Sequence, residues 1–223
     1  MPSAFVNLYG VEKPGPALFP GDRIRHNVTD GERREAPMPR LFAGLEIPSD
    51  VTTRLAAFRG GLMGARWIDP ADYHLTLRFV GDVDLHMAGA VDAALAEMHP
   101  RAPVPVVFEG FDSFGGDRPH ALIIRAKLTP ELADLQADVE RGLRRAGLPV
   151  EKRRFVPHVT MARLRRVSPL DIARLIAEHG QFPVCGFEAE RVSLFSARDM
   201  TGGGPYVVEA VYPFAGTELA ADR

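Results

Sequence analysis

The stretches Tyr73-His74-Leu75-Thr76-Leu77-Arg78-Phe79-Val80-Gly81 and His158-Val159-Thr160-Met161-Ala162-Arg163-Leu164 decide how this chain is read. Both carry the pattern His-x-Thr-x. In an extended strand alternate side chains share a face, so His74 and Thr76 point one way while Leu75 and Leu77 point into a core. His158 and Thr160 do the same, with Val159 and Met161 behind them. Each strand presents an imidazole and a hydroxyl on a rigid support, and two such strands across a cleft surround one small anion. The histidines lie 84 residues apart, about one lobe, which suits an internal duplication with a cleft between the copies.

Outward from these strands the chain alternates strand and helix. Leu41 to Ile47 reads as a strand, and Ser49 as the N-cap of a helix carrying Leu55, Phe58 and Leu62 on one face. Tyr73 to Val80 is a strand closed by Gly81-Asp82, and Asp84 to Met98 is helical in pattern. Val104 to Phe111 and Ala121 to Ala126 are strands, and Thr129-Pro130-Glu131 opens a helix that ends at Gly147. After the strand from His158 to Leu164, Ser168-Pro169 opens a helix ending at Gly180, and Phe187 to Phe195 and Tyr206 to Phe214 supply the last strands. The expected class is α+β: a bilobal, pseudo-twofold duplicated fold with two antiparallel sheets facing a central cleft and helices outside. Residues 1–37, rich in Pro, Gly and charge, read as a disordered extension, with Met38 a candidate true start of translation. Residues 38–215 form the domain of two intertwined lobes, and 216–223 a flexible tail.

Composition narrows the function. The single cysteine, Cys185, excludes an intramolecular disulfide and a cysteine-rich zinc site, and suits a small core residue. No apolar run is long enough to span a membrane and no secretory signal opens the chain, so a cytoplasmic protein without a membrane partner is expected. A net charge of −2 argues against a coat for nucleic acid, yet between Arg141 and Arg166 nine arginines and lysines face one acid, Glu151. That region reads either as a guide for a phosphate-bearing ligand or as solvated surface.

The remaining histidines form no metal-ligand spacing. His86, His99 and His179 read as surface residues, His26 lies in the extension, and His120 stands where a strand start could reach the cleft rim. Phe42 and Trp67 are either nucleobase-stacking or core aromatics, with the core the commoner fate. Gly202-Gly-Gly204 lacks the Lys-Ser/Thr and helix of a phosphate loop and reads as a hairpin.

With Arg40-Leu-Phe42, Arg66-Trp-Ile-Asp-Pro-Ala-Asp-Tyr-His-Leu-Thr-Leu-Arg-Phe-Val-Gly81 and Arg154-Phe-Val-Pro-His-Val-Thr-Met-Ala-Arg163, the sequence resembles the 2H phosphoesterase superfamily. Within it, the likeness is to the RNA 2′,3′-cyclic phosphodiesterases, or 2′-5′ RNA ligase-like proteins. The one mild departure is Met161, where a branched aliphatic is common. The resemblance implies two His-Thr strands lining a cleft, with His158 the base toward water and His74 the acid toward the 3′ oxygen, leaving a 2′-phosphate. The reverse reaction exchanges the roles, so one site can also join a 2′-5′ linkage. Thr76 and Thr160 would donate to the non-bridging oxygens, and Arg163 matches a phosphate-contacting arginine of the family. On strict alternation Arg163 falls on the core face, so it needs a bulge or twist to reach the cleft. Arg78 has the histidine face on the same count, as a ligand contact or a surface ion-pair partner. No metal and no cofactor are implied. The expected partners are RNA ends or nucleotides bearing a 2′,3′-cyclic phosphate, and the chain is expected to be a monomer. The competing readings are a metal-dependent phosphodiesterase, a non-catalytic RNA-end binding module, and a related enzyme acting on 2′-5′ oligonucleotides or an ADP-ribose cyclic phosphate.

Overall fold

A computed structural model describes residues 40–179, 182, 185–197 and 205–215, so the expectations for 1–37, for the triple glycine and for 216–223 lie outside the described residues. In chain order the elements begin β1 (Arg40–Glu46), α1 (Ser49–Ala56), β2 (Ala65–Trp67), a 3₁₀ turn (Pro70–Asp72), β3 (His74–Asp82) and α2 (Leu85–Ala96). They continue with β4 (Val104–Phe114), β5 (Ala121–Ala126), α3 (Pro130–Arg145), β6 (His158–Leu164) and α4 (Pro169–His179), then β7 (Cys185–Ala189), β8 (Arg191–Ala197) and β9 (Tyr206–Pro213).

Every strand pair among the described residues is antiparallel, and the order across the sheet is β7-β4-β5-β6-β3-β1-β8-β9, with β2 pairing the far end of β6. Outward from the β6–β3 seam, the order is a pseudo-twofold: β5 answers β1, β4 answers β8 and β7 answers β9. The expected α+β duplication is present, and its two sheets are joined into one ladder at this seam. The seam is one register pair, Leu75 opposite Val159. Both side chains are fully buried, so the core runs beneath the strands that carry the two histidines.

Several helix ends follow from sequence as read. Thr129 accepts from the Leu132 amide at the start of α3, and Pro130 takes the first helical position. At its end Gly147 has φ +102, Leu148 N–H donates to the Leu143 carbonyl and Gly147 N–H to that of Arg144, a Schellman closure. Ser168 and Asp171 exchange side-chain and amide bonds at the start of α4.

Two readings are corrected. The helix after Ser49 ends at Ala56, short of Phe58 and Leu62, and Pro48, without a side-chain cap bond, occupies the cap position given to Ser49. Phe58 instead packs on Phe111 and Phe182, so an aromatic cluster replaces the last helical turn. The stretch from Phe187 to Phe195 is two strands, β7 on β4 and β8 on β1, with Glu190 at the crossing between lobes. No glycine, proline or turn signal marks the point at Glu190 where the chain changes lobes.

Candidate active site

β3 and β6 run antiparallel with Leu75 opposite Val159. Extending that register by one residue each way sets His74 opposite Thr160 and Thr76 opposite His158. The four polar side chains stand on one face of the two strands. All four are half-buried, while Leu75, Leu77, Val159 and Met161 are buried behind them. Neither threonine hydroxyl bonds to another described residue, so both are available to a ligand.

Both imidazoles are tethered in the same way. His74 Nδ1 lies 2.8 Å from the Asp72 carbonyl and His158 Nδ1 lies 2.7 Å from that of Val156. A carbonyl only accepts, so each Nδ1 carries the hydrogen and each Nε2 is left for the cleft. The tethers are themselves held. Asp69 accepts from Ala71 N–H in the 3₁₀ turn, Asp72 accepts the Tyr206 amide at 2.9 Å, and the Pro157 carbonyl beside Val156 accepts the Ala126 amide. Aromatic rings fix the ring planes. Phe42 lies 4.7 Å and Tyr206 4.8 Å from His74 between centroids, and Phe114 meets His158 edge-on at 4.8 Å.

Burial pushes His74 down to about 4, with the nearby His158 and Arg163 adding to the effect against the opposing Asp72 bond. His158 is lowered mainly by burial, then by Arg163 and Arg125. In the free protein both rings are therefore neutral at pH 7, each with a lone pair on Nε2.

Arg163 reaches this site through the bulge its position required. Against β5, Thr160 pairs with Ile123 and Ala162 with Leu122, which leaves Met161 as the extra residue. Met161 and Ala162 are both buried, and Arg163 emerges exposed on the histidine face. Its charge acts on both histidines, so it stands near both rings. β3 has the matching bulge: Thr76 pairs with Gly44 and Arg78 with Ala43, so Leu77 is extra. The duplicated bulge is chemically asymmetric. Five residues after His158 stands Arg163, and five after His74 stands Phe79, which is 47% exposed with the Arg153 guanidinium 5.7 Å from its ring centre.

The same bulge corrects Arg78. It leaves the histidine face, becomes 8% exposed and pairs with Glu140 and, at 3.8 Å, Glu151, while donating to the carbonyls of Phe79 and Pro149. It ties β3 to α3 and to the segment leading to β6. Phe42 is buried beneath His74 and stacked on Phe195, and Trp67 packs against the core. His120 is exposed, its ring 6.5 Å from that of Phe114, the ring that meets His158. His86 and His99 are exposed and Cys185 is buried. The basic region divides: Arg141 pairs with Asp138 and Arg153 with Glu151, whereas Arg163 pairs with no described carboxylate.

Sequence reasoning missed Arg125, Phe114, Phe195 and Tyr206. Arg125 is the register partner of His158 and pairs with Asp112. All four come from neighbouring strands, so no local motif marks them. Among the described residues, no cluster of three or more His, Cys, Asp or Glu is grouped to hold a metal, and no helix is long and apolar enough to cross a membrane.

The sequence profile of the 2′-5′ RNA ligase superfamily matches residues 48–200. An RNA 2′,3′-cyclic phosphodiesterase of Bacillus subtilis is 32% identical over 162 residues, covering 70% of this chain and 87% of that protein. One from Aquifex aeolicus is 29% identical over 157 residues, covering 68% and 82%. In fold, the chain is similar to TT0787 of Thermus thermophilus, with a TM-score of 0.65 at 20% identity over 80% of this chain and 100% of that one. E. coli LigT complexed with 3′-AMP gives 0.61 at 18% identity, over 79% and 99%.

Proposed function

This chain belongs to the 2′-5′ RNA ligase superfamily, and from that premise we propose that it hydrolyses 2′,3′-cyclic phosphates of RNA ends or nucleotides to 2′-phosphates, using His74 and His158 as its acid and base. The observation that carries the proposal is the single polar face on which two Nδ1-tethered imidazoles and two free hydroxyls meet beside Arg163. His158 Nε2 takes a proton from water as the water oxygen bonds to phosphorus. The bond from phosphorus to O3′ breaks, and His74 Nε2–H delivers its proton to that oxygen. The product is a 2′-phosphomonoester with a 3′-hydroxyl, and the two rings exchange protons with solvent to reset.

Because both rings are neutral in the free protein, His74 acquires its proton with the substrate: the phosphate anion in the cleft offsets Arg163 and raises both imidazoles. Thr76 and Thr160 donate to the non-bridging oxygens as charge builds there, and Arg163 holds the same oxygens by its fork. A 5′-hydroxyl in the place of water joins a 2′-5′ linkage by the same steps. The exposed face of Phe79 suits a nucleobase, which favours a nucleotide over a bare cyclic phosphate. The kinetic test compares turnover of adenosine 2′,3′-cyclic phosphate by the parent, His74→Ala and His158→Ala. Each variant is expected to lose roughly 10²–10⁴-fold in kcat; turnover that persists in both removes the histidines from the chemistry.

A further inference from the structure

Beyond the reacting phosphate the sheet sets out a second group of cations. β2 pairs with the end of β6 in the register Ala65–Leu164, Arg66–Arg163 and Trp67–Ala162. Residues directly opposed on neighbouring strands point to the same face, so the Arg66 side chain rises beside Arg163 on the face of His158 and Thr160. Both arginines are exposed, while Ala162 and Leu164 on either side of Arg163 are buried. Past Leu164 the alternation returns Arg165 to that face. Arg66, Arg165 and Arg166, with Gly64 and Ala65, line a hollow of about 460 Å³.

The backbone locks this cluster. Arg165 N–H donates to the Gly64 carbonyl at 2.9 Å. Gly64 has φ +86, and a Cβ there would lie 2.5 Å from the Arg165 carbonyl oxygen, so only glycine lets β2 lie this close to β6. Arginines opposed across two strands repel each other, and an anion between them relieves that repulsion. On the other edge of β6 stands a single arginine, Arg125, and it pairs with Asp112. On the side of β2, Arg66 stands opposite Arg163 and lines one hollow with Arg165 and Arg166.

We propose that Arg66, with Arg165 and Arg166, holds the phosphate joining the terminal nucleotide to its 5′ neighbour, so that the site takes an RNA end in preference to a free nucleoside cyclic phosphate. The inference rests on the reading of His74 and His158 as hydrolysing a cyclic phosphate. Arg163 engages the phosphate at the 3′ side of the terminal ribose. The next phosphate is one ribose away, and Arg66 stands one strand away, about 4.8 Å at the backbone before its own side-chain reach. Such a contact recognises the backbone and not the base, and it weakens with salt.

The test measures kcat/KM for three substrates: adenosine 2′,3′-cyclic phosphate with a free 5′-hydroxyl, its 5′-phosphorylated form, and the dinucleotide ApA ending in a 2′,3′-cyclic phosphate. Wild type, Arg66→Gln and Arg66→Lys are compared at 50 and 200 mM salt. Wild type is expected to favour the two substrates bearing a 5′ phosphate by about tenfold or more, less so at high salt. Arg66→Gln brings the ratio to within about threefold of unity, and Arg66→Lys, which keeps the charge, retains part of it. A wild-type ratio near one, or an Arg66→Gln loss that falls equally on all three substrates, overturns the subsite while leaving the cyclic phosphodiesterase reading intact. No turnover of any substrate by wild type overturns that reading itself, and the subsite with it.

Discussion

Replacing His74 by glutamine should flatten the acid limb of the stability curve. In the fold His74 is pushed down to about 4 from 6.5, chiefly by burial, so the folded state favours the neutral ring. Between those two values the unfolded chain binds a proton that the folded chain does not, and stability falls as pH falls. The fall from 6.5 to about 4 converts to about 3 kcal/mol by pH 4. The ring is only half-buried, so solvent screening makes that figure a ceiling. From pH 7.5 to 5 the loss is at most about 2 kcal/mol. Urea unfolding at pH 7.5, 6.5, 5.5 and 5.0 on wild type and His74→Gln measures the difference directly, since other titrating groups contribute alike to both. Wild type is expected to lose more than the variant over this range, by up to about 2 kcal/mol. Parallel curves would refute the claim that burial holds this imidazole neutral.

The same depressed values set the pH profile of catalysis. Activity requires a proton on one ring, and both free-enzyme rings titrate below their ordinary value, so kcat/KM should fall about tenfold per pH unit above about pH 6.5. The kcat profile should lie at higher pH, because bound phosphate raises both rings; coincident profiles would contradict this. Thr76→Val and Thr160→Val each remove a donor to the developing charge, and single-turnover rates should drop by roughly 10²–10³. Arg78→Met leaves the half-buried Glu140 without its cation and should destabilise the fold by about 1–3 kcal/mol in urea titration. The residual folded fraction should still turn over substrate at the normal rate per molecule, since Arg78 lies off the histidine face.

The site was legible in sequence because its geometry is local. His-x-Thr alternation alone puts imidazole and hydroxyl on one face, and the count from His158 to Arg163 demanded a break in alternation that the Met161 bulge supplies. The count from His74 to Arg78 failed for the same reason: Leu77 is also extra, and it turns Arg78 inward and Phe79 outward. Had the two motifs been superposed residue by residue, Phe79 would have stood out as the counterpart of Arg163. Nothing local marks Arg125, Phe114 or Tyr206, whose roles depend on cross-strand register. β2 escaped notice because it is three residues long and exists only through the edge of β6. The passage of β7 and β8 into different lobes left no trace either, since Glu190 alone separates them and no glycine or proline marks the crossing.

The most direct measurement is phosphorus NMR of the products formed from adenosine 2′,3′-cyclic phosphate, and from an RNA ending in that group, with EDTA present throughout. Steady conversion of the cyclic resonance to a 2′-phosphomonoester alone is predicted by the proposed mechanism, in which two histidines act as acid and base and O3′ is the leaving oxygen. A 3′-phosphate product, or a cyclic resonance that stays unchanged at all enzyme concentrations, would contradict it.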